Sequence, residues 1–139
     1  MRVGLIRCIQ TEDMCPGTTD FICIQEKKGA FKDVEGEIEI VGFNTCGGCP
    51  GKKAVTRAAR MVRAGADTIA LASCITKGTP VGFSCPYAEQ IKSAIAKKLG
   101  EEIKILDYMH YDRVLDAVDL EYPPVFPSEG DGCYYALRT

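Results

Sequence analysis

Four short apolar runs, separated by stretches of helical periodicity, constrain this chain more than any other feature. Residues 3–7, 38–43, 68–72 and 103–106 are mostly apolar and rich in β-branched side chains, the pattern of strands covered on both faces. After the second run, Ala54, Val55, Ala58, Ala59 and Val62 recur at spacings of three and four, and Gly65 ends the pattern. After the third, Ala88, Ile91, Ala94, Ile95 and Leu99 repeat it, closed by Gly100. A further helix is expected over residues 18–28, with Phe21, Ile22 and Ile24 facing inward, and a short one over residues 113–118.

Strand followed by helix, four times over, predicts an α/β fold. The expected form is a small three-layer, doubly wound sheet of the Rossmann or flavodoxin type, with four parallel strands in the order 2-1-3-4. This domain is assigned to residues 1–118. The remainder, residues 119–139, changes character: Tyr122-Pro123-Pro124-Val125-Phe126-Pro127 is extended and proline-rich, and Ser128-Glu129-Gly130-Asp131-Gly132 is a turn or loop. The tail is expected to pack on the domain or on a neighbouring chain, the second case making the protein a homodimer.

A chain of 139 residues can bury a core without disulfide staples. Seventeen Lys and Arg against nineteen Asp and Glu leave a net charge of −2, and no basic stripe is present, so a nucleic-acid partner is not expected. The pairs Lys52-Lys53 and Lys97-Lys98 read as solvated helix faces. No apolar run approaches a membrane span, and the first residues are too short and too charged for a signal peptide, reading directly as a strand. The expected compartment is the cytoplasm. In a reducing cytosol, eight cysteines point to metal or redox chemistry rather than to a disulfide framework.

Placed on this framework, the cysteines form a regular arrangement. Cys8, Cys46 and Cys74 follow the first three strands, and His110, the sole histidine, follows the fourth. Right-handed crossovers bring the carboxyl ends of all four strands to one edge, where such sheets bind ligands. Three Cys-Pro dipeptides, Cys15-Pro16, Cys49-Pro50 and Cys85-Pro86, precede helices. Proline favours the first helical position, so each of these cysteines is expected near a helix N-terminus, whose partial positive charge favours a thiolate. In Cys46-Gly47-Gly48-Cys49 the spacing lets two sulfurs reach one ion, and the glycines let backbone N–H groups turn toward them. The same spacing suits disulfide exchange, but Pro50 places the helix after the second cysteine, which favours a chelating loop.

A cysteine taken singly is most often a small buried hydrophobe, the reading that suits Cys23 and Cys133. A solitary histidine is more often structural than ligating, and Asp107 reads as an exposed turn carboxylate. Other motifs fail on spacing. The segment from Gly48 to Lys53 lacks the phosphate-loop pattern, and neither a dinucleotide fingerprint nor G-x-S-x-G is present. No rim cysteine has the arginine six residues later that a phosphatase loop requires.

The block Cys46-Gly47-Gly48-Cys49-Pro50-Gly51, together with Cys8, Ser73-Cys74, Gly82-Phe83-Ser84-Cys85-Pro86 and His110, resembles the CGGC-domain family over roughly residues 1–112. Proteins of that family are described as metal-binding, with zinc foremost, and carry no defined reaction. The resemblance implies Cys8, Cys46, Cys49, Cys74, Cys85 and His110 as candidate ligands. Tyr87 stands where a histidine often follows the Cys-Pro pair, which removes one nitrogen donor. Cys15 joins the candidates as the remaining rim cysteine. The leading expectation is therefore a zinc-binding domain, since thiolate and imidazole donors suit zinc. Six thiols exceed one tetrahedral ion, so an iron–sulfur electron carrier or sensor is the second reading. A thiol–disulfide enzyme using Cys46 and Cys49 is the third.

Overall fold

The computed structural model describes residues 1–79 and 82–110. Four strands, β1 (Arg2–Arg7), β2 (Glu39–Thr45), β3 (Thr68–Leu71) and β4 (Lys104–Leu106), form one sheet in the order β2-β1-β3-β4. Every pairing is parallel. The expected α/β sheet and its strand order are therefore found. Among the described residues four α-helices accompany it: α1 (Thr18–Gln25), α2 (Lys52–Arg63), α3 (Ser73–Thr76) and α4 (Ala88–Leu99). The helix expected over residues 113–118, the proline-rich tail and Cys133 lie outside the described residues.

Coverage on both faces holds for the central strands alone. In β1, Val3, Leu5 and Ile6 are fully buried, and all of β3 is buried. The edge strand β2 exposes Glu39, Ile40, Phe43 and Asn44, because it has a neighbour on one side only. Helix α2 packs on β1, β2 and α4; right-handed crossovers are the rule for such parallel sheets and would put α1 on the opposite face.

The burial of α2 differs from the periodic stripe. Ala54, Ala58 and Met61 are buried, whereas Val55, Ala59 and Val62 are half-buried. Met61 lies flat on the sheet where Gly4 and Gly42 are paired across β1 and β2. A methyl group added at Gly4 would stand 2.6 Å from the Met61 sulfur, and one at Gly42 2.9 Å from its Cγ. Two absent side chains thus make room for one long one. In α4, Ile91 and Ile95 are buried as expected, but Ala94 is exposed.

The far end of the sheet is fastened by Ser73. Its hydroxyl donates to the His110 carbonyl at 2.6 Å and accepts from the backbone N–H groups of Met109 and His110, each at 3.1 Å. The Met109 carbonyl accepts from the Ala30 N–H at 3.1 Å, so the segment after β4 is held between the ends of two other loops.

Candidate functional site

The strand register brings the first sulfurs together. Arg7 of β1 is paired with Thr45 of β2, so Cys8 and Cys46, each the next residue, stand side by side as their strands end. The Cys46 N–H donates to the Arg7 carbonyl at 2.7 Å, which continues the ladder to this point. Cys74 arrives from the other side, because Ile6 is paired with Leu71 and the chain turns at once into α3. The Cys8 N–H donates to the Cys74 sulfur at 3.1 Å. Cys8 also opens a tight turn, Ile9–Thr11, closed by Thr11 donating its N–H at 3.2 Å and its hydroxyl at 2.7 Å to the Cys8 carbonyl.

The three Cys-Pro dipeptides share one position relative to their helices, and it differs from the expected one, although only the Cys49-Pro50 bond is cis. Proline is not the first helical residue: a capping residue, Gly17, Gly51 or Tyr87, stands between it and the helix. Gly17 and Gly51 adopt left-handed conformations, with φ of 85° and 91°, which glycine takes without steric penalty. The shift places the cysteine two residues before the cap; Cys15 and Cys85 accept the cap N–H, whereas the Gly51 N–H donates to the Gly48 carbonyl at 2.8 Å. Gly17 donates to Cys15 and Tyr87 to Cys85, both at 3.4 Å.

In the C-G-G-C loop, Gly47 and Gly48 have φ of 81° and 106°. A side chain at Gly47 would press on Lys53, its Cβ standing 2.5 Å from the Lys53 Cβ. Arg57, one turn into α2, donates from one nitrogen to the Thr45 carbonyl at 2.9 Å and to the Thr45 hydroxyl at 2.8 Å. This brace at the start of the loop carries no sequence signal, because only the helix-to-strand packing brings Arg57 back to Thr45.

The electrostatics of the sulfurs differ sharply. Cys46 accepts a hydrogen bond from the Cys8 thiol and further ones from the N–H groups of Gly48 and Ile9, and against its burial these lower its pKa to about 5. Cys8 moves in the opposite direction, because its thiol proton is held by Cys46 and because it is partly buried. At Cys74 burial dominates, raising the pKa to about 11 despite the Cys8 N–H and the Thr11 hydroxyl. Within the cluster the surroundings thus favour charge on Cys46 and the neutral form at Cys8 and Cys74.

Two adjoining cavities share Cys8, Cys49 and Cys85. One adds Cys46, with Ile75, Tyr87 and Ile91 as walls; the other adds Cys74, with Gln10 and Phe83. Five candidate cysteines thus converge at the carboxyl edge of the sheet, all of them free thiols. Cys49 is exposed, and Phe83, also exposed, stands at the mouth. Even so, among the described residues no group of three or more His, Cys, Asp or Glu side chains is drawn together tightly enough to hold a metal ion.

The other candidates have different surroundings. Cys15 is disulfide-bonded and lines neither cavity. His110 is buried and its Nε2 lies 3.5 Å from Asp20 Oδ1, likewise away from both cavities. Cys23 is buried in the core, and Asp107 pairs with Lys92 at 2.7 Å on the surface. Thr11 is a part of the site that the sequence pattern did not single out. A signal existed for Thr11, whose hydroxyl falls three residues after a strand-end cysteine, the spacing that closes a tight turn.

An uncharacterized protein of Methanocaldococcus jannaschii is 39% identical over 111 residues, covering 76% of this chain and 81% of the relative. No solved structure matches the chain. The family described as the CGGC domain matches residues 2–110, the span that contains the sheet and all five converging thiols, and the chain belongs to that family.

Proposed function

We propose that this domain binds a metal ion through thiolates at the carboxyl edge of the sheet, with zinc the preferred ion. The observation that carries the reading is the convergence of Cys8, Cys46, Cys49, Cys74 and Cys85 on two shared cavities. Family membership supports metal binding in general, and the choice of zinc follows from a donor set rich in thiolate. Cys46 is the natural first ligand, since its surroundings favour the thiolate. Cys8, Cys49 and Cys85 surround it, and Cys74 requires its proton to be displaced. Holding an ion requires the thiol protons to be released. Affinity should then depend steeply on pH and couple to stability. No helix among the described residues is long and apolar enough to cross a membrane, and a reducing, cytoplasmic setting fits free thiols best.

Metal analysis of the reduced, anaerobically purified chain tests the reading. Bound zinc that is lost in Cys46→Ser and in Cys49→Ser supports it, and a visible chromophore with iron and sulfide would replace zinc by an iron–sulfur cluster. Unchanged metal content in both variants would remove these two residues from the ligand set.

A further inference from the structure

We propose that Cys8 and Cys46 form a dithiol–disulfide couple that reduces low-molecular-weight disulfides, so that the redox partner of Cys46 is its neighbour across the sheet rather than Cys49 in its own loop. The placement comes from the fold. Register pairs Arg7 with Thr45, and the ladder bond from the Cys46 N–H to the Arg7 carbonyl carries that alignment one residue further. Adjacent strands lie about 4.8 Å apart, inside the roughly 4.4–6.8 Å range of Cα separations that a disulfide spans. The two side chains line one cavity. Cys49, which follows the left-handed turn at Gly47 and Gly48, is exposed, whereas Cys46 is buried.

The chemistry balances with a small disulfide RSSR as oxidant. The Cys46 thiolate attacks one sulfur of RSSR, breaking its S–S bond to form Cys46–S–SR and release RS⁻. That anion takes the proton of the Cys8 thiol and leaves as RSH. The Cys8 thiolate then attacks the Cys46 sulfur, forming the Cys8–Cys46 bond and expelling the second RS⁻. Two electrons pass from the protein to RSSR, and one thiol and one thiolate leave.

The experiment treats the reduced, metal-free full chain with bis(2-hydroxyethyl) disulfide, traps remaining thiols by alkylation and maps crosslinked peptides by mass spectrometry. A Cys8–Cys46 crosslink as the main new product, retained in Cys49→Ser and absent in Cys8→Ser, is the expected result. A dominant Cys46–Cys49 crosslink, loss of the product in Cys49→Ser, or no Cys8–Cys46 crosslink in the folded wild-type chain would overturn the proposal. Circular dichroism confirms that each variant is folded, and the Cys49→Ser arm alters an exposed residue, so it decides the pairing even where Cys8→Ser is unstable. Zinc stoichiometry on separate reduced samples keeps this result distinct from the metal-binding reading.

Discussion

Cys46 and Cys74 show how the same side chain acquires opposite properties within one cluster. Cys46 gains donors for its charged form from Cys8, Gly48 and Ile9, whereas Cys74 is chiefly desolvated. The Cys46 thiolate should therefore survive as pH falls until about 5. Because this folded value lies below that of an unfolded thiol, the group stabilises the metal-free fold most at alkaline pH, and that contribution disappears as pH drops through about 5. In Cys8→Ala the largest cause is removed, and the Cys46 midpoint should rise by about 1–3 units. Ultraviolet thiolate absorbance of the metal-free chain, titrated against pH, measures this directly. An unmoved midpoint would show that backbone donors alone hold the charge.

At the level of elements, the helix starts and the sheet–helix contact are the sensitive points. Gly51 caps α2 at φ 91°, and a Cβ there would collide with the side chain of Ile91 on α4. Gly51→Ala combines a left-handed penalty with overpacking and should cost about 2–4 kcal/mol, read as a shift in denaturant midpoint. Met61→Ala leaves the paired glycines of β1 and β2 uncovered and should cost about 2–5 kcal/mol. A measured loss well under 1 kcal/mol would mean that α2 settles onto the sheet and closes the gap. Strand and helix positions were legible from the pattern to within a few residues. The burial of Met61 was not, since a side chain's depth depends on what the opposing strands lack. The short helix α3 was also hidden, because its four residues, Ser73–Thr76, are too few to show a period.

For the whole molecule, metal and fold should behave as one system. The five converging thiols come from β1, β2, α3 and the approaches to α2 and α4, so an ion held among them would cross-link most of the domain. Zinc at about a hundred times its dissociation constant should add roughly 2.7 kcal/mol to the stability of the reduced chain. Thermal melting with and without a chelator measures it, and identical melting temperatures would contradict zinc as a ligand of the folded state. The gain should shrink toward acid, where protons compete for the thiols.

By itself the sequence determined the class of fold, the order of the strands and the edge at which the strand-end cysteines gather. Those depend on local periodicity and on the handedness of crossovers, both carried by neighbouring residues. Tertiary structure alone decided which sulfurs touch. Cys8 meets Cys46 through strand register and Cys74 through the turn after β3, while His110 is drawn into the core beside Asp20 by the bonds that Ser73 makes to its backbone. Spacing along a chain cannot specify such contacts, because they are set by how far each strand runs and how each following turn is bonded.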